Sequence, residues 1–123
     1  MNNKLIYIID DEEDILDLFQ GIFDESKYTV ECFKTTKSFC QRCDEKFPDL
    51  VITDLVINGE DGLSIVEKIN KEKPEIPVFV MSGFLTKDRL DRLKTLKTVS
   101  VNSKPFKMLP YIQEIEKYLV HVK

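Results

Sequence analysis

Five carboxylates stand in an unbroken row from Asp10 to Asp14, directly after the apolar run Leu5 to Ile9 and with no basic residue among them. A further acid, Asp54, follows Leu50 to Thr53; Ser82 and Gly83 follow Val78 to Met81, and Lys104-Pro105 comes shortly after Val101. Three carboxylates brought to one place repel, and each raises the pKa of the others unless a cation lies among them. Magnesium meets that need, because it takes an octahedral shell of one or two carboxylates, waters and phosphate oxygens. Asp10, Asp11 and Asp54 could supply the carboxylates. With Lys104 as a fixed positive charge and Ser82 as a hydroxyl donor, the set makes a phosphoryl-binding pocket whose natural acceptor is a carboxylate.

Those residues meet only if the elements between them fold suitably. Five short apolar runs alternate with amphipathic segments of helical length, which predicts strands at Leu5–Ile9, Thr29–Phe33, Leu50–Thr53, Val78–Met81 and, weakly, Val99–Val101. The helical stripes are Ile15, Leu18, Phe19 and Ile22; Phe39 and Cys43, capped by Thr35 or Thr36; Leu63, Val66 and Ile69; Leu90, Leu93 and Leu96; and Leu109, Ile112, Ile115 and Leu119. Apolar strands joined through helices imply a parallel sheet covered on both faces, an α/β doubly wound fold. Ligands in such sheets bind at the carboxyl ends of the strands, and all five candidate residues fall there. Glu12, Glu13 and Asp14 instead open the first helix, where acids favour its positive end.

A chain of 123 residues, 42% hydrophobic and 33% charged, can bury one core without disulfides or a structural metal. Its 18 basic and 22 acidic residues leave a net charge of −4, which gives no electrostatic reason for direct binding to nucleic acid or anionic membrane. No run is long enough for a membrane span or a signal-peptide core, so the chain reads as cytoplasmic. The three cysteines, an odd number, read as reduced thiols; Cys40 and Cys43 form a C-x-x-C inside a helix rather than at a strand-to-helix junction. His121, near the terminus, reads as solvent-exposed.

The stretches "IIDDEED", "LVITDLVINGEDG", "VFVMSG" and "SKPF", in this order, resemble the receiver domain of two-component response regulators, over almost the whole chain. The resemblance implies one receiver domain across residues 1–123, with a flavodoxin-like five-stranded sheet of order 2-1-3-4-5. It implies Asp54 as phosphoacceptor, and magnesium held by Asp10, Asp11, Asp54 and the backbone carbonyl of Val56. Ser82 and Lys104 would contact the phosphoryl group, the Lys104-Pro105 bond would be cis, and Gly62 matches the glycine that follows the acceptor loop. The protein would be no enzyme in the usual sense: it would phosphorylate itself from a donor and lose the group by autodephosphorylation. The implied partners are a sensor histidine kinase or phosphotransfer protein and a downstream protein. Pairing with a second copy through the fourth helix, fifth strand and fifth helix is left open.

The pattern has departures. Val101 stands where the family's switch aromatic is usual, Asn58 where proline is common, and Lys97-Thr98 where Gly-Ala is frequent. A receiver fold that serves as a phosphate-independent interaction module is therefore a competing reading. An aspartate-nucleophile phosphatase is a third, disfavoured because Val56 occupies the place of the second aspartate such enzymes use as acid and base.

Overall fold

The computed structural model describes residues 3–83, 85–98, 100–104 and 107–121. The expectations for Val99, for the Lys104-Pro105 bond and for the His121 side chain lie outside the described parts. The elements run β1 (Lys4–Ile9), α1 (Glu13–Ile22), β2 (Tyr28–Phe33), α2 (Thr36–Glu45), β3 (Leu50–Asp54), β4 (Val56–Ile57), β5 (Glu60–Asp61), α3 (Leu63–Glu72), β6 (Val78–Ser82), α4 (Lys87–Leu93), β7 (Ser100–Ser103) and α5 (Met108–His121).

Five strands form one parallel sheet in the order β2-β1-β3-β6-β7. Numbering only these strands in chain order, this is 2-1-3-4-5. Side chains alternate across the pleat and so feed two cores. Leu5, Tyr7, Ile9, Val51, Val78 and Val80 join Phe39 and Cys43 of α2, Leu63, Ile65, Val66 and Ile69 of the α3 region, and Leu93 of α4. Ile6, Ile8, Leu50, Ile52, Phe79 and Met81 join Leu16 and Phe19 of α1 and Tyr111, Ile112, Ile115 and Leu119 of α5. Helices therefore cover both faces, and burial of each large side chain stabilises by roughly 1.5–3 kcal/mol. Thr35 caps α2, its Oγ1 accepting from the Ser38 N–H at 3.0 Å.

Several local features depart from the sequence pattern, among them the end of α4 at Leu93, which leaves Leu96 beyond the helix and Leu90 exposed. First, α1 buries Leu16 and Phe19, and Phe23 just beyond it, whereas Leu18 and Ile22 are exposed. Two apolar stripes overlap on this helix. Aromatic packing selects one of them: Phe19 meets Tyr111 at 6.2 Å between ring centroids, and Phe23 meets Tyr28 at 5.6 Å. Second, Leu109 opens α5 exposed, and Tyr111 takes the inward position instead. Third, the loop after Asp54 is a small antiparallel ribbon, with Val56 opposite Asp61 and Ile57 opposite Glu60. Its two-residue turn has φ 53° at Asn58 and 75° at Gly59. Positive φ at both central residues is the type I′ pattern for which Asn-Gly is the preferred sequence.

Candidate phosphoacceptor site

The sheet order explains why distant residues converge. Asp10 leaves β1, Asp54 ends β3, Ser82 ends β6 and Lys104 follows β7, all at the carboxyl edge. The Lys104 N–H donates to the Ser82 carbonyl at 2.8 Å, which extends the β6–β7 pairing by one step and fixes where the lysine side chain starts. From there Lys104 reaches back across the sheet: its Nζ donates to Asp10 Oδ2 at 2.7 Å, to Asp54 Oδ2 at 3.0 Å and to Glu12 Oε1 at 3.2 Å. Asp10, Asp54 and Ser82 are buried. Asp11 is exposed and faces the ribbon, its Oδ2 accepting from the Asn58 N–H at 2.8 Å. At the start of β4, the Val56 N–H donates to Asp54 Oδ1 at 3.2 Å. Both Asp54 oxygens are thus fixed, one by an amide and one by an ammonium.

The loop after Asp54 is held from below by Gly62. Its N–H donates to the Leu55 carbonyl at 2.6 Å. A Cβ there would stand 2.5 Å from the Asp54 carbonyl oxygen and 3.0 Å from the carbonyl carbon and oxygen of Leu55. With φ −75°, Gly62 is required by close approach and not by an unusual backbone angle. Asp61 fastens the ribbon's outer end, with Oδ1 accepting from the Leu63 N–H at 2.9 Å and Oδ2 from Arg92 of α4 at 2.8 Å.

One ammonium shared among several acids leaves the pocket short of positive charge. Burial pushes the Asp10 carboxyl up from 3.8 to about 6; the hydrogen bonds from Lys104 and the Glu12 N–H and the Lys104 charge pull it down, and the Asp54 charge adds to the rise. For Lys104, burial works against its charge, yet the hydrogen bonds to Asp10 and Asp54 and their charges outweigh it and hold the ammonium above the usual lysine range. The lysine gains from several carboxylates, whereas Asp10 has a share in only one cation. Ligand oxygens of Asp10, Asp11, Glu12 and Asp54 lie within 4.8 Å of one another. An all-oxygen set of this size, with a net deficit of positive charge, fits a hard divalent cation such as magnesium.

Residues 6–116 of the sequence match the response regulator receiver domain model. The chain belongs to the response regulator receiver family. Among similar proteins, the regulatory protein VanR of Enterococcus faecium is 32% identical over 124 residues, covering all of this chain and 52% of that protein. Sporulation initiation phosphotransferase F of Bacillus subtilis is 29% identical over 119 residues, 97% of this chain and 96% of that one. The receiver chain thus spans about half of the first relative and nearly all of the second. In fold it matches a CheY-like receiver domain protein from Methanospirillum hungatei with TM-score 0.88 at 22% identity, covering 97% of this chain and 95% of that chain.

Within this receiver, Asp10, Asp11, Asp54, Val56, Ser82 and Lys104 all lie at or beside the one pocket. Local spacing assigns Glu12 to the start of the first helix, but its carboxylate turns to Lys104. Its two neighbours do keep to the helix side: Glu13 pairs with Lys34, and Asp14 lies exposed in the first turn of α1. Asn58 contributes more than turn chemistry, because its N–H binds Asp11 and its side chain binds the Lys34 carbonyl at 2.8 Å. The adjacent Asn-Gly pair was the sequence signal for that hairpin. Among the described residues, no helix is long and apolar enough to cross a membrane.

Proposed function

We propose that this receiver accepts a phosphoryl group on Asp54 and signals through the resulting change of surface. The observation that carries the reading is the buried Asp54 carboxylate, paired with Asp10 across the Lys104 ammonium and oriented by the Val56 N–H. In the reaction, a lone pair of an Asp54 oxygen forms the O–P bond while the P–N bond of a kinase phosphohistidine breaks. The electron pair leaves with the imidazole, and an acyl phosphate remains. A small phosphodonor would serve in the same way.

Asp10, Asp11 and Asp54, with the Val56 carbonyl, would hold magnesium, which when bound offsets the charge of nucleophile and phosphoryl oxygens. Lys104 and Ser82 supply an ammonium and a hydroxyl to the transferred group. Each gains a partner absent before transfer, and such a differential contact can bias a two-state surface. The output is conformational. We assign it to the face of α4, β7 and α5, where Leu90, Leu109 and Tyr118 are exposed and a groove of about 560 Å³ lies between α4 and Val101. A downstream protein or a second copy would read that face, in the cytoplasm, and the donor would be a sensor histidine kinase or phosphotransfer protein.

The test is incubation with magnesium and acetyl phosphate, followed by intact mass and borohydride trapping of the acyl phosphate. A gain of one phosphoryl group, lost in Asp54→Asn, is the expected result. A second reading, the phosphate-independent interaction module, is favoured by Val101, a half-buried β-branched side chain that cannot swing as an aromatic would. No gain from acetyl phosphate or from a histidine kinase would leave that module in place.

A further inference from the structure

Lys104 is held by three carboxylates of unequal freedom. Its ammonium has three N–H donors, and Asp10, Asp54 and Glu12 take them at 2.7, 3.0 and 3.2 Å. The Asp10 and Asp54 side chains are 0% and 7% exposed and anchored on strand ends, whereas the Glu12 side chain is 61% exposed. Only the solvent-side partner has room to move. Glu12 also holds the N-cap position of α1, with φ −90° and ψ 113°, yet its side chain makes no capping hydrogen bond. Serine, threonine, aspartate or asparagine would serve that position better. What anchors the helix start is the Glu12 backbone, whose N–H donates to Asp10 Oδ1 at 3.0 Å. The carboxylate itself is committed to the lysine.

We infer that Glu12 is a positioning residue that holds Lys104 on the solvent side of the pocket and competes with phosphorylated Asp54 for its ammonium. The inference rests on the phosphoacceptor reading. Once Asp54 becomes an acyl phosphate, its carboxylate no longer offers Lys104 a charged oxygen, and the phosphoryl oxygens do so instead. Lys104 must then reassign its donors, and a mobile glutamate that keeps one of them opposes the commitment. Glu12 thereby limits how far the lysine, and the surface tied to β7, goes over to the phosphorylated arrangement.

The neighbouring Glu13 provides a matched control, because it carries the same charge but pairs with Lys34 outside the pocket. The probe is beryllofluoride at saturating magnesium, a phosphoryl mimic that joins the acceptor oxygen without turnover, with its affinity followed by amide NMR shifts. Glu12→Gln is expected to bind it about 3- to 10-fold more tightly than wild type, and Glu13→Gln within about 2-fold of wild type. Glu12→Asp keeps the charge but shortens the reach. It should bind the probe as tightly as Glu12→Gln does, while its better N-cap leaves the thermal midpoint unchanged or raised.

Affinity of Glu12→Gln equal to wild type, or of Glu12→Asp equal to wild type while Glu12→Gln is tighter, would overturn the positioning role. Failure of the wild type to bind the probe would instead overturn the phosphoacceptor reading, and this inference with it.

Discussion

Replacing Gly62 by alanine adds one methyl group at φ −75° and ψ −3°, a conformation alanine adopts without strain. Backbone preference therefore predicts no penalty, and any effect must come from what the methyl group meets. It would stand 2.5 Å from the Asp54 carbonyl oxygen and 3.0 Å from the Leu55 carbonyl. Carbon–oxygen contacts close at about 3.3 Å, so the loop after Asp54 and the start of α3 must separate by roughly 0.8 Å. The opposing atoms are backbone, flanked by the buried Leu55, Ile57 and Leu63, and overpacking of this kind costs about 1–3 kcal/mol. The displaced oxygen belongs to Asp54, the proposed acceptor. A shift of about 1 Å at a reacting group can slow transfer by about 100-fold.

Urea unfolding measures the first effect and the rate of acetyl phosphate labelling, read by intact mass, the second. Gly21→Ala is the internal control: it lies inside α1, nothing comes within 4 Å of its added Cβ, and it should stabilise by roughly 0.5–1 kcal/mol. If Gly62→Ala unfolds within about 0.5 kcal/mol of wild type and labels at the wild-type rate, the close approach described for Gly62 is wrong.

Other outcomes follow from the same geometry. With the Asp10 carboxyl raised from 3.8 to about 6, the folded state binds more protons than the unfolded state between those values, so stability is fully present below pH 3.8 and lost as pH rises through 6. The loss is at most about 3 kcal/mol, at about 1.4 kcal/mol per pH unit. In chelator, Asp10→Asn should therefore match wild type near pH 4 and exceed its urea stability by about 1–3 kcal/mol at pH 7.5; parallel curves would count against the burial argument. Asn58→Ala must hold φ 53° without glycine's freedom and also loses the bond to the Lys34 carbonyl. It should cost about 1–2 kcal/mol, while Asn58→Gly keeps the turn and costs less, as thermal midpoints will show. Burial pushes the thiols of Cys32 to about 11 and Cys43 to about 12. Iodoacetamide at pH 8 should therefore label them far more slowly than a free cysteine and accelerate above pH 10; fast labelling at pH 8 would refute the effect of burial on these thiols.

The sequence carried the sheet because β1, β3 and β6 are short apolar runs followed by polar strand ends, a pattern a parallel sheet needs and few other folds use. Asp10, Asp54 and Ser82 stand at or just after those strand ends, and Lys104 follows β7. The ribbon at β4 and β5 escaped because strands of two residues have no periodicity, although Asn58-Gly59 marked its turn. The inward face of α1 is ambiguous in the sequence: Ile15, Leu18 and Ile22 fit helical spacing as well as Leu16 and Phe23 do, and packing partners contributed from elsewhere, among them the rings of Tyr28 and Tyr111, bury Leu16, Phe19 and Phe23. Glu12 was hidden for a related reason. Its role depends on a lysine 92 residues away, and local spacing assigns it to the helix.

The lysine bridge has a kinetic consequence. Lys104 lies 94 residues from Asp10 and 50 from Asp54, so the pocket closes only when the first, third and last strands of the sheet have all been placed. Loops of that length carry their closure entropy before any contact rewards them. With β7 undocked, Asp10 and Asp54 would lie near each other without the ammonium between them, and their mutual repulsion would oppose that arrangement. Docking of the last strand is therefore favoured by charge as well as by burial. The proposed acceptor, Asp54, gains its ammonium partner in the same step that completes the sheet.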